Sequence, residues 1–172
     1  MKYKKILILF LSVILLLSGC ASNTKSVEAG YKNGFMFKYK DINICLGEYT
    51  DNILSKKELE TVDYYEYQSC SFEGMSKIYS YAGFNIDTYL NDKSDKDRIY
   101  SIELLNDSVK TPEGINIGKS VDDMIAAYGA EYEESDTSAK FYKYTKSGTV
   151  LYFGTENNII TSILYQIEDI YN

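Results

Sequence analysis

Three cysteines, 25 carboxylates and 18 tyrosines are the side chains of this 172-residue chain that could do chemistry. Histidine is absent. That removes the commonest general base and the commonest metal ligand, and with them any Ser-His-Asp or Cys-His arrangement. No Gly-rich phosphate loop follows a strand pattern; Gly114, Gly118 and Gly129 read as turn and cap positions. Asp92, Asp95 and Asp97 in NDKSDKDR lack the alternate ligands, sixth-position glycine and twelfth-position glutamate of an EF-hand, so they read as a solvated hairpin tip. Glu131, Glu133, Glu134 and Asp136 read as an exposed acidic loop. The expectation is therefore no catalytic residue, no metal and no cofactor. Paired carboxylates of a hydrolase remain the one enzymatic alternative, because the spacing they need is spatial rather than sequential. Cys45 and Cys70 are compatible with a disulfide in an exported chain, or with two buried thiols acting as small hydrophobes.

The third cysteine has a different setting. Lys2, Lys4 and Lys5 precede an uncharged apolar run, Ile6 to Leu17, in the order of a secretory signal. At about 1.5 Å per residue that run reaches only roughly 18 Å, short of a bilayer core of roughly 30 Å. Leu17-Ser18-Gly19-Cys20 then resembles a bacterial lipobox. The resemblance implies a diacylglyceryl thioether on Cys20, cleavage between Gly19 and Cys20, and a protein held by lipid at the extracytoplasmic face of the cell membrane. Each buried methylene of such an anchor contributes about 0.8 kcal/mol. Without the three signal lysines the formal charge falls from −7 to −10. So acidic a chain argues against nucleic-acid binding and against electrostatic attachment to anionic headgroups. Richness in Lys, Asn, Ile and Tyr points to a low-GC Gram-positive source.

The elements that must carry these residues follow from patterning. Residues 1–19 are the signal and 20–33 a polar tether. Pro112, the single proline, lies in NDSVKTPEG (Asn106 to Gly114), which divides a first unit, 34–110, from a second, 111–172. The two units match in order. Leu46-Gly47-Glu48-Tyr49-Thr50-Asp51-Asn52-Ile53-Leu54 lies on Ile117-Gly118-Lys119-Ser120-Val121-Asp122-Asp123-Met124-Ile125. Lys77 to Tyr81 lies on Lys140 to Tyr144, and Tyr100-Ser101-Ile102 on Thr161-Ser162-Ile163. Ser120 and Asp123 form a capping pair for a helix ending at Gly129, and a first helix is expected over Thr50 to Glu60. Alternation predicts strands at Ser76–Ala82, Phe84–Leu90, Arg98–Leu105, Lys140–Thr145, Thr149–Phe153 and Ile159–Ile167. Lys146-Ser147-Gly148 and Glu156-Asn157-Asn158 read as hairpin turns. The fold class is α+β: a tandem repeat of strand, helix and antiparallel β-meander, with the helices packed on one face of the sheet.

Seventeen tyrosines follow the signal, and there is no tryptophan. Residues two apart on a strand share a face, so Tyr79 with Tyr81, and Tyr142 with Tyr144, are candidate rings of a binding surface. Thr111 to Gly129 (TPEGINIGKSVDDMIAAYG) and Ser69 to Tyr89 (SCSFEGMSKIYSYAGFNIDTY) resemble a group of uncharacterised Firmicutes lipoproteins. The strand, Gly-Ser helix and meander unit is also similar to the tandem repeats of β-lactamase inhibitory protein. A single unit is similar to the small lipoprotein of the outer-membrane β-barrel assembly machinery. These resemblances imply α+β repeats whose sheets bind other proteins. The leading expectation is a non-enzymatic, lipid-anchored module that binds a protein or a cell-wall component. A carboxylate-dependent envelope hydrolase and a purely structural lipoprotein are the alternatives.

Overall fold

The computed structural model describes residues 31–69, 74–90, 96–135 and 140–168. Among the described residues, strands hold 51% and two helices 10%, so the fold is sheet-rich α+β. A hairpin of β1 (Met36–Tyr39) and β2 (Ile42–Cys45) leads into α1 (Asp51–Leu54). Then come β3 (Asp63–Gln68), β4 (Met75–Tyr81), β5 (Phe84–Leu90) and β6 (Asp97–Leu104). Helix α2 (Val121–Tyr128) is followed by β7 (Glu133–Glu134), β8 (Lys140–Lys146), β9 (Thr149–Glu156) and β10 (Ile159–Ile167). Eight strands make one sheet in the order β3-β4-β5-β6-β10-β9-β8-β7, with every neighbouring pair antiparallel.

Local chemistry accounts for these elements. The β8–β9 turn has positive φ at Ser147 and Gly148, and the β9–β10 turn at Asn157 and Asn158. Two successive left-handed residues twist a turn in the sense of its flanking strands. Ser120 caps α2 by accepting from the Asp123 N–H at 3.1 Å, while the Asp123 carboxylate accepts from the Ser120 N–H at 3.2 Å. That reciprocal pair satisfies two N–H groups that a helix start leaves open. The helix expected over Thr50 to Glu60 is a single turn, Asp51–Leu54. Thr50 makes no side-chain cap there; its hydroxyl donates instead to the Asp97 carbonyl at 3.1 Å, at the start of β6.

A short stretch before each helix hydrogen-bonds the start of a central strand. Gly47 N–H donates to Ile99 O (2.7 Å), Ile99 N–H to Glu48 O (3.0 Å) and Thr50 N–H to Asp97 O (3.0 Å). Before α2, Gly118 N–H donates to Ile160 O (2.8 Å), Ile160 N–H to Lys119 O (2.8 Å) and Val121 N–H to Asn158 O (3.1 Å). Gly47 and Gly118 turn the chain into these ladders at φ 74° and 92°, a region that glycine enters without steric cost.

Directly opposed residues in antiparallel strands share a face, so the register sorts the side chains. One rung reads Tyr81, Phe84, Leu104, Ile163, Phe153, Tyr142 across six strands. The next reads Tyr79, Ile86, Ile102, Tyr165, Leu151, Tyr144. All twelve except Tyr79 are buried. Phe37 of β1 sets its ring 4.9 Å from Phe84 and 5.9 Å from Tyr165. Tyr128 of α2 sits 5.2 Å from Phe153 and 5.3 Å from Tyr144. The hydrophobic core lies on this face.

Candidate interaction surface

The tyrosines singled out by their spacing do share faces, but the face is the buried one. Tyr81, Tyr142 and Tyr144 are 4 to 7% exposed, which corrects the expectation that they form a recognition surface. Tyr81 stacks on Phe84 at 4.8 Å, and the Tyr144 hydroxyl donates to the Gly129 carbonyl at 2.8 Å, tying β8 to the end of α2. Burial pushes the Tyr144 hydroxyl up to about 12. Tyr132 covers Tyr142 and Tyr144 at 5.0 and 5.8 Å. Tyr79 is half-buried, with its ring 5.0 Å from that of Tyr64 at the sheet edge. Spacing gives a shared face but cannot say which face another layer covers.

The accessible chemistry is on the reverse face. Its first rung is Tyr65, Ile78, Asp87, Ser101, Gln166, Val150, Thr145. Its second is Asp63, Ser80, Asn85, Glu103, Leu164, Tyr152, Lys143, Glu133, and it crosses all eight strands. Ser101 and Val150 are buried between their neighbours; the other members of both rungs are half-buried or exposed. Tyr65 and Tyr67 stack at 6.0 Å and 17° at one end, and Phe141 meets Tyr152 edge-on at 5.8 Å at the other. Between these ring pairs run hydroxyls, amides and carboxylates. Gln166 donates to the Tyr100 hydroxyl, and Lys143 lies 3.5 Å from Glu133 and 3.6 Å from Glu168. Flat rings bracketing a polar strip offer contact area at low rotamer cost together with donors and acceptors for specificity.

Asp87 lies half-buried on this face, between β4 and β6. The Tyr67 hydroxyl donates to its two carboxylate oxygens at 3.1 and 3.3 Å. Burial pushes its carboxyl above the usual range, and hydrogen bonds from Tyr67 and from the Thr88 backbone pull it part of the way back. Ionised Asp87 therefore opposes folding at neutral pH. As pH falls through the raised folded value, the folded protein takes up the proton first and that penalty disappears. The stability of the wild type relative to Asp87→Asn should rise between pH 7 and pH 4 in urea titrations. A gap that stays flat over that window would contradict this account of Asp87.

Several residues weighed in the sequence sit elsewhere. Cys20, Gly19, Cys70, Asp92, Asp95 and Asp136 lie outside the described residues, and with them the lipid site, the disulfide pairing and most of the hairpin tip. Cys45 is half-buried at the end of β2, its thiol pushed up by burial and then by Glu48. Asp97 pairs with Lys77 at 2.5 Å. Glu133 and Glu134, expected in a loop, form the short strand β7 and pair with Lys143 and Lys140, because β8 offers a lysine beside each. Among the described residues no group of three or more His, Cys, Asp or Glu is arranged to hold a metal. Tyr65 and Tyr67 of the open face carry no clear signal in the sequence, because DYYEYQ has tyrosine on both faces at once, which hides its alternation. No family model, curated protein or solved structure matches the chain.

Proposed function

We propose that this protein is a non-enzymatic binding module, held by diacylglyceryl-Cys20 at the extracytoplasmic face of the membrane, which engages a protein or a cell-wall component through the open face of its sheet. The observation that carries the proposal is the pair of opposite-face rungs, with Tyr65, Tyr67, Phe141 and Tyr152 bracketing a polar strip. The lipobox resemblance of Leu17 to Cys20 supports the location.

We further infer that residues 34–110 and 111–172 are two copies of one helix and meander unit, each helix lying on the buried face. Three relations support this reading. The bonds made by Gly47, Glu48 and Thr50 recur at Gly118, Lys119 and Val121. The ladder Tyr79–Ile86–Ile102 recurs as Tyr142–Phe153–Ile163, so the matched sequence segments occupy the same register positions. At the β6–β10 seam, superposing Ile102 on Ile163 exchanges the pairs Leu104–Ile163 and Ile102–Tyr165, as an isologous contact requires. The same arrangement of units is what the likeness to β-lactamase inhibitory protein implies.

The test is crosslinking and capture from intact envelopes, with the full-length protein as bait. Tyr65→Ala/Tyr152→Ala should lower recovery of the captured partner about thirtyfold, the scale of losing about 2 kcal/mol at aromatic anchors. Cys20→Ala should release the protein from membranes and abolish acyl labelling. Undiminished capture by the double variant would overturn the face; unchanged acyl labelling would overturn the anchor.

A further inference from the structure

A sheet of eight strands has two edges, and here the two are built differently. β7 is two residues long, and each residue is paired with a lysine of β8, at 3.5 Å for Glu133 and 2.5 Å for Glu134. A short, charged strand is a guarded edge. β3 is six residues long and pairs with β4 without a bulge from Asp63–Ser80 to Gln68–Met75. It contains no proline, glycine or lysine. Exposed apolar side chains gather around it: Val62 is 71% exposed, Tyr65 61%, Tyr64 45% and Met75 39%.

The phase of the ladder identifies the outward groups. Ser69 N–H donates to the Gly74 carbonyl at 3.1 Å, and this pair continues the β3–β4 register by one step. Hydrogen-bonded and non-bonded pairs alternate in antiparallel strands. Asp63, Tyr65 and Tyr67 therefore turn their backbone groups toward β4, while Tyr64, Glu66 and Gln68 turn theirs outward. The Tyr64 N–H is taken by the Asp63 carboxylate at 2.8 Å. Among the described residues, the N–H groups of Glu66 and Gln68 and the carbonyls of Tyr64, Glu66 and Gln68 are bonded to no further strand and face outward along the edge at the repeat of a β-ladder.

Charge then selects the occupant. From Glu58 to Gln68 the chain carries Glu58, Glu60, Asp63 and Glu66 and no lysine or arginine. A second copy of this strand would bring two acidic edges together. A basic strand meets the opposite sign, and cross-strand pairs of opposite charge stabilise where like charges destabilise.

We propose that β3 accepts an extended, basic segment of another protein as a ninth strand of the sheet. Lysine or arginine at alternate positions lies beside Glu66, and apolar or hydroxyl side chains between them lie on the rings of Tyr65 and Tyr67. Main-chain bonds to the edge supply affinity and the alternate side chains supply selection. The edge shares the rings of Tyr65 and Tyr67 with the open face, but its main-chain groups lie outside that face, and Glu66→Pro tests them without altering either ring.

The probes are two fluorescent peptides, Thr-Lys-Val-Lys-Val-Lys-Thr and its counterpart with Glu in place of Lys, titrated against the full-length protein in detergent and read by anisotropy. The basic peptide should bind, and the acidic one should bind at least tenfold more weakly. Glu66→Pro removes an outward N–H while leaving the β4 ladder intact, and Glu66→Gln removes the charge alone. The proline variant should lose at least tenfold more affinity than the glutamine variant. Should the proline variant fail to fold, Asp63→Lys/Glu66→Lys carries the test and should reverse the preference to the acidic peptide. Equal binding of both peptides, no binding of either, or equal losses in Glu66→Pro and Glu66→Gln would overturn the proposal. So would a dimer in sedimentation that Glu66→Pro dissolves, because the edge would then belong to a second copy.

Discussion

Phe84→Ala should destabilise the fold by about 3 to 5 kcal/mol, lowering the midpoint of thermal unfolding by about 10 to 20 °C. Phe84 is fully buried and opens β5 directly after the β4–β5 turn. Its ring lies 4.8 Å from Tyr81, 4.9 Å from Phe37 and 5.0 Å from Tyr39. Two of these partners belong to the β1–β2 hairpin and one to β4, so this ring joins the hairpin to the sheet. Removing it leaves a cavity walled by three aromatic rings, which are too stiff to collapse into the space. Phe84→Leu refills much of that volume and should cost less than half as much. Thermal denaturation followed by circular dichroism measures both, and an alanine variant melting within a few degrees of the wild type would refute this picture of the core.

Arg98→Ala should cost about 2 to 4 kcal/mol, with Arg98→Lys recovering only part of the loss. Arg98 is 3% exposed at the start of β6. Its guanidinium donates to the Gly47 carbonyl and to the Tyr49 hydroxyl, each at 2.8 Å, and lies 4.0 Å from the centre of the Tyr49 ring. A cation stacked on an aromatic ring and bonded to a carbonyl replaces much of the hydration it gives up. The planar fork reaches both acceptors at once, whereas the single ammonium of lysine cannot copy its geometry. The effect is expected to be local: Arg98 pins the stretch from Gly47 to Thr50, which positions α1. Urea unfolding should show a lower midpoint with an unchanged slope. A loss below about 1 kcal/mol in Arg98→Ala would mean that this contact does not hold the joint.

The six strands from β4 to β6 and from β8 to β10 were legible because each is a run of seven or more residues rich in β-branched and aromatic side chains, and the β4–β5, β8–β9 and β9–β10 turns carry residues suited to left-handed backbone. Ser120 and Asp123 marked the start of α2 by chemistry that acts within one turn. What stayed hidden depends on partners distant in sequence. β1 and β2 are four residues each and are fixed by Phe37 and Ile44 entering the core, not by pattern. β7 is defined by its pairing with β8. α1 is one turn long and starts without a side-chain cap, because the Thr50 hydroxyl serves Asp97, a partner remote in the chain. The spacing of Tyr79, Tyr81, Tyr142 and Tyr144 gave the correct common face, but only the Phe37 and Tyr128 rings packed over that face decide that it is interior. The open face is what remains once the core has claimed its own tyrosines.

The most direct test of the open face as a binding surface is photocrosslinking in living cells from benzoyl-phenylalanine placed at Tyr152 or at Glu103, with placement at exposed Lys38 on the hairpin as the reference. Both Tyr152 and Glu103 lie in the rung that crosses the whole sheet, whereas Lys38 lies on β1. The account predicts one discrete adduct from each sheet position and none from Lys38. An adduct from Lys38 alone, or no adduct from either sheet position, would contradict it.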